Sequence, residues 1–79
     1  MEVSVRLFGI LPDYYAGDYP TSGLKVDCRR GISVAELVEL LQLPQDHIAI
    51  VSINGRPSKG KDVVPGGAEV KFFQALHSG

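Results

Sequence analysis

Residues 31–44 read Gly31-Ile32-Ser33-Val34-Ala35-Glu36-Leu37-Val38-Glu39-Leu40-Leu41-Gln42-Leu43-Pro44, and the fold is decided in this stretch. Ser33 is a good N-cap, and Glu36 three residues on completes the sequence signature of a capping box. Ile32, just before the cap, is placed to staple onto Leu37. Val34, Leu37, Val38 and Leu41 recur at helical spacing and form one apolar stripe, with Glu36, Glu39 and Gln42 left toward water. Pro44 disfavours the helical conformation at Leu43. The spacing therefore predicts a helix over 33–43 that is apolar on one side only. Such a helix needs one sheet face to cover.

The flanking segments supply that sheet. Upstream, Leu24, Val26 and Cys28 alternate with Lys25 and Asp27, the period of a half-buried strand. Further back, Val3, Val5 and Leu7 alternate with Glu2, Ser4, Arg6 and Phe8. Between these two strands, residues 9–23 read as a long loop, punctuated by Gly9, Pro12, Gly17, Pro20 and Gly23. Tyr14, Tyr15 and Tyr19 in that loop either anchor it or meet a partner. Downstream, Ile48-Ala49-Ile50-Val51-Ser52-Ile53 is nearly continuous and apolar, and predicts a central, well-buried strand. Asn54-Gly55 is a strong two-residue hairpin signal, so a short strand should return through Arg56. Residues 58–62 are a polar loop and Pro65-Gly66-Gly67 a tight turn. Ala68 to Phe73 alternates again as the last strand, which should stop near Gln74. Residues 75–79 carry no pattern and are expected to form a loose tail on a domain spanning 1–74.

Strand, strand, helix, strand, short strand, strand makes an α+β domain with a four- to five-stranded mixed sheet and one main helix. This is the order of the β-grasp, the ubiquitin-like architecture, in which the first and last strands lie parallel and adjacent. At 79 residues the chain buries roughly 60% of its unfolded surface, enough for one thin core. With 44% hydrophobic and 22% charged residues it is too apolar to be disordered. A net charge of −1 argues against a nucleic-acid binder. No apolar run is long enough to span a membrane, and the start lacks the layout of a secretory signal. Cys28 alone cannot close an internal disulfide, so the cytoplasm is the expected compartment.

The chain resembles the small sulfur carriers, namely the small subunit of molybdopterin synthase and the thiamine-biosynthesis sulfur carrier. The resemblance covers nearly the whole length. It is carried by Val5-Arg6-Leu7-Phe8-Gly9, by the helix after Gly31-Ile32-Ser33-Val34, by Ile53-Asn54-Gly55, and by Pro65-Gly66-Gly67-Ala68-Glu69-Val70-Lys71-Phe72-Phe73. Two features depart from the family pattern: the long connection 9–23, and a tail ending Ser78-Gly79 where the family ends in Gly-Gly. The resemblance implies a cytoplasmic protein, monomeric when free, with no bound cofactor and no catalytic residues of its own. Its working group would be the C-terminal carboxylate of Gly79. A ubiquitin-activating-type adenylyltransferase would adenylate that carboxylate with ATP, sulfur would replace the adenylate, and a synthase subunit would accept the sulfur. Molybdopterin-type synthesis is favoured over thiamine. Gly79 suits the task because a residue without a Cβ leaves its carbonyl open, whereas the Ser78 side chain would crowd a channel shaped for glycine.

A second candidate site is a surface. If the odd-numbered residues of the first strand face the helix, Phe8 and Phe73 project from the opposite face, and Ile50 should join them. These three are the expected partner-binding residues. The alternative is that the loop 12–23 folds over that face and its tyrosines cover the rings. Cys28 reads as a small buried hydrophobe and His47 as a solvated loop residue. His77 in the tail is a weak candidate for steadying a phosphate. Gly66-Gly67 precedes a strand, so it is a turn and not a phosphate cradle. One cysteine excludes a [2Fe–2S] ferredoxin, which needs four, and no nucleophile–base set supports a stand-alone enzyme. The competing function is a non-conjugated binding module or permanent small subunit of a larger enzyme.

Overall fold

The computed structural model describes residues 1–75. The predicted tail 75–79, with His77, Ser78 and Gly79, therefore lies outside the described residues except for Ala75. The elements are β1 (Glu2–Leu7), α1 (Leu11–Tyr14), β2 (Leu24–Asp27), α2 (Val34–Leu40), a 3₁₀ turn (Gln45–His47), β3 (Ile48–Ile53), β4 (Arg56–Ser58) and β5 (Glu69–Gln74). One five-stranded sheet has the order β2-β1-β5-β3-β4. β1 and β5 run parallel, with Val5 opposite Val70 and Leu7 opposite Phe72. The other pairs are antiparallel. This is the β-grasp, with the predicted parallel pairing of first and last strands.

The core forms where α2 lies across one sheet face. Val3, Val5 and Leu7 of β1, Leu24 of β2 and Val70 and Phe72 of β5 meet Val34, Leu37, Val38 and Leu41. Ile32 is buried beside them, as the staple requires. The capping box is complete: Ser33 Oγ accepts from the Glu36 N–H, and the Glu36 carboxylate accepts from the Ser33 N–H. At the other end, Asn54 and Gly55 take φ values of 52° and 84°. Both central residues of the turn are thus left-handed, the geometry whose twist matches a two-residue hairpin.

Three expectations need correction. The helix ends at Leu40, earlier than the predicted 43, and Pro44 is not what stops it. Gln42 turns left-handed at φ 56°, its N–H donating to the Glu39 carbonyl and the Leu43 N–H to the Val38 carbonyl. This is a Schellman ending, which swings Leu43 into the core. The strand Ile48–Ile53 is not central: β5 holds that place, and β3 is flanked outward only by the three residues of β4. Ala49 and Ile50 are accordingly exposed. Finally, residues 9–23 are not all loop. Pro12 sits in the first turn of α1, where its missing N–H costs nothing, and Leu11 is fully buried under it.

Candidate functional site

Strand alternation makes the sheet face opposite α2 from Ser4, Arg6 and Phe8, Lys25 and Asp27, Glu69, Lys71 and Phe73, and Ile50 and Ser52. Phe8 follows β1 and keeps its register, its N–H donating to the Phe72 carbonyl at 3.0 Å. That places its ring beside Phe73. The two stack with centroids 4.7 Å apart and planes 10° from parallel. Ile50 is the cross-strand partner of Phe73 and is 56% exposed. Phe8, Phe73 and Ile50 therefore lie together on the face away from the helix, at the end of the sheet where β5 finishes.

The polar end of the same face is internally paired. Lys25 Nζ donates to Ser4 Oγ at 3.1 Å, Lys71 Nζ lies 3.6 Å from Glu69 Oε1, and the Met1 ammonium group lies 3.4 Å from Asp27 Oδ1.

The end of β5 is clamped from both sides. The Gln74 side chain accepts from the Ile10 N–H at 2.8 Å, and the Ala75 N–H donates to the His47 carbonyl at 2.8 Å. Gly9 makes the first contact possible: it is left-handed at φ 68°, and a Cβ there would meet Gln74 Cβ at 2.9 Å and its amide oxygen at 2.1 Å. His47, read from the sequence as solvated, is half-buried and stacks on Tyr14 at 5.0 Å. Sequence reasoning missed this pair because its members lie 33 positions apart and neither belongs to a motif. The Pro-Asp-Tyr helix start at 12–14 was the one local hint.

The tyrosines of the connection have separate tasks. Tyr19 Oη accepts from the Leu7 N–H at 2.8 Å, which β2 is too short to reach since it begins opposite Val5. Tyr15 and Tyr19 pack against the core, and Tyr14 takes His47. No tyrosine stacks on Phe8 or Phe73 among the described residues. Cys28 is half-buried against the core, with its N–H bonded to the Met1 carbonyl. Among the described residues, no three His, Cys, Asp or Glu side chains are grouped to hold a metal ion, and no helix is long and apolar enough to cross a membrane. The Glu36 carboxyl is held away from its ordinary pKa. Its hydrogen bond from the Ser33 backbone, aided by the Arg29 guanidinium, holds it below the ordinary value of 4.5. It lies at the start of α2, remote in the fold from the aromatic face.

No protein-family model matches the chain, and comparison with curated sequences finds no relative. Solved structures do match. The crystal structure of SAMP1 from Haloferax volcanii superposes with a TM-score of 0.70 at 20% identity, covering 100% of both chains. That of H. volcanii small archaeal modifier protein 1 gives 0.69 at 20% identity, covering 95% of this chain and 98% of the other. The solution structure of Urm1 from Trypanosoma brucei gives 0.68 at 21% identity, covering 99% and 95%. At this identity the likeness shows the fold: a five-stranded β-grasp with one main helix, over the whole chain.

Proposed function

We propose that this chain is a ubiquitin-like sulfur carrier whose Gly79 carboxylate is the reacting group. One observation carries the reading. The parallel β1–β5 pair ends at the Phe8–Phe73–Ile50 patch, so the chain after Ala75 begins at the edge of the surface fit for docking. A partner seated on that patch meets the chain end without searching for it. Residues 75–79 span at most ~17 Å when extended, enough to enter an active-site channel. The whole-chain likeness to the structures of SAMP1, of small archaeal modifier protein 1 and of Urm1 supports a ubiquitin-like role.

A free terminal carboxylate has a pKa near ~3.5 and is an anion at neutral pH, a very poor electrophile. The activating enzyme removes that obstacle. A carboxylate oxygen attacks the α-phosphorus of ATP, pyrophosphate leaves, and the resulting acyl-adenylate has a good leaving group. Hydrosulfide then attacks the carbonyl carbon, the carbonyl–phosphate C–O bond breaks and AMP departs, giving a thiocarboxylate. This chain supplies the docking face, the arm and an unhindered carbonyl at Gly79. A synthase subunit of molybdopterin-type assembly is the favoured acceptor, ahead of thiamine, as the sequence resemblance implies.

The test is acyl-adenylate formation with ATP and the host's activating enzyme. Deletion of Gly79 should abolish it, and Ser78→Gly should raise the rate in a channel shaped for two glycines. Protein isolated from its host should include a species heavier by the exchange of one oxygen for sulfur. Adenylation as fast without Gly79 as with it would end the carrier reading. No adenylation even of Ser78→Gly would favour a permanent subunit of a larger enzyme.

A further inference from the structure

Among the described residues, the charged groups of the open sheet face each have a polar partner except for one. Lys25, Lys71 and Asp27 each have a partner, as described above. Arg6, on β1 beside the central strand, has none among the described residues. Its Nε is buried and makes no hydrogen bond, and its guanidinium carbon lies 6.0 Å from the centroid of the Phe8 ring. Its register neighbour across the parallel pairing is Lys71, a second cation.

A guanidinium cannot shed its proton to escape burial. An N–H donor removed from water without an acceptor is a standing cost, and the more so when charged. Lysine could have snorkelled to solvent from this position. Arginine, with Nε covered, can instead present its two terminal nitrogens as a planar fork, which fits the two oxygens of a carboxylate. The adjoining Phe8–Phe73 stack and Ile50 would exclude water from such a pair once covered, and ion pairing strengthens as the local dielectric falls. Glu69 and Asp27, the acids of this face, are already engaged by Lys71 and the Met1 ammonium group.

We propose that Arg6 is the ionic anchor of this docking face, and that the partner seated on Phe8, Phe73 and Ile50 inserts an Asp or Glu side chain from an apolar surface to meet its guanidinium fork. The inference rests on the carrier reading in taking the adenylating enzyme as that partner. Charge complementarity calls for an acidic contact: Arg6 is a cation with an unmet donor beside an apolar patch.

The experiment compares wild type, Arg6→Met and Arg6→Lys as full-length chains in the adenylation reaction at several salt concentrations. Loss of a charge-assisted fork should raise the KM for the carrier about tenfold or more in Arg6→Met, with kcat at saturation kept. The wild-type KM should climb with salt and that of Arg6→Met should not. Arg6→Lys should recover part of the loss, as a charge without the fork. The melting temperature of Arg6→Met should be no lower than wild type, since the change removes an unsatisfied donor and keeps the stem. An unchanged KM, or a KM that rises only with a fall in melting temperature, overturns the proposal while leaving the carrier reading intact.

If no activating enzyme adenylates wild type, the carrier reading fails and a titration without enzyme decides the anchor. Acetyl-Asp-Leu-amide added to ¹⁵N-labelled full chain should shift the Arg6 Nε–H and Phe73 ring signals well before acetyl-Asn-Leu-amide does. Equal shifts, or none, overturn the proposal. So does a shift of the Arg6 Nε–H signal on removal of residues 76–79, which would make the chain's own carboxylate the occupant.

Discussion

Gln42 is a residue in an uncomfortable conformation for a structural reason. A left-handed φ of 56° crowds the Cβ of any residue but glycine. It is held there because the Schellman bonds turn Leu43 inward, where only 6% of it stays exposed. Gln42→Gly should therefore stabilise the domain by about 0.5–1 kcal/mol, read as a higher denaturant midpoint at unchanged slope. Glu36 makes the opposite case, a residue well matched to its place. Its carboxyl is held below 4.5 by the Ser33 N–H and by Arg29, so the folded state keeps it ionised where the unfolded chain would take up a proton. The sign follows: unfolded chain binds more protons near this pH, so stability rises with pH there. The contribution is present above 4.5 and is lost as pH falls through the lower folded value. Glu36→Gln, which keeps the capping box, should show a shallower loss of melting temperature on acidification below that point.

At the scale of elements, α2 is held by tertiary burial more than by its own seven residues. Isolated helices so short do not persist in water. Leu37 is fully buried at the centre of the helix–sheet contact, and Leu37→Ala should cost about 2–5 kcal/mol by leaving a cavity in a thin core. A melting point within a degree or two of wild type would contradict that placement. The connection 9–23 is held differently, by Leu11 in the core and by one hydroxyl. Tyr19 Oη takes the place that a longer β2 would fill against the Leu7 N–H. Tyr19→Phe should cost about 1 kcal/mol and raise hydrogen exchange at the Leu7 amide more than at Val3 or Val5. Uniform exchange across these three amides would show that the hydroxyl does not hold the strand end.

For the molecule as a whole, the proposed carrier function assigns stability and recognition to the two faces of the sheet. The face under α2 holds the core, and the opposite face carries Phe8, Phe73, Ile50 and Arg6. Phe73→Ser should cost only about 1–2 kcal/mol, the lost stack on Phe8 included, because Phe73 is half-buried. On the proposed carrier function, binding to the activating enzyme should fall far more than stability does. The chain exposes 5040 Å², and a standard interface takes about 800 Å² from each partner. Docking would thus cover about a sixth of the surface. A Phe73→Ser protein that is unfolded at room temperature would show that the ring serves the core.

What the sequence determined by itself was local. The capping box at Ser33 and Glu36, the apolar stripe of α2, the Asn54-Gly55 turn and the faces of β1 and β5 all follow from spacings of two to four residues. From these the β-grasp order and the common face of Phe8 and Phe73 were legible. The tertiary structure decided what depends on residues far apart in the chain. It set β5 rather than β3 at the centre of the sheet, because the parallel pairing with β1 joins segments that no local pattern links. It brought Tyr14 onto His47 and Tyr19 onto Leu7 by closing the long connection over the sheet end. It ended α2 at Leu40, because burial of Leu43 outweighs the strain at Gln42. Arg6 shows the division most plainly: its place on the outer face was readable from alternation, but that it has no acceptor among the described residues was decided by the tertiary pairing of Glu69 with Lys71 and of Asp27 with the Met1 ammonium group.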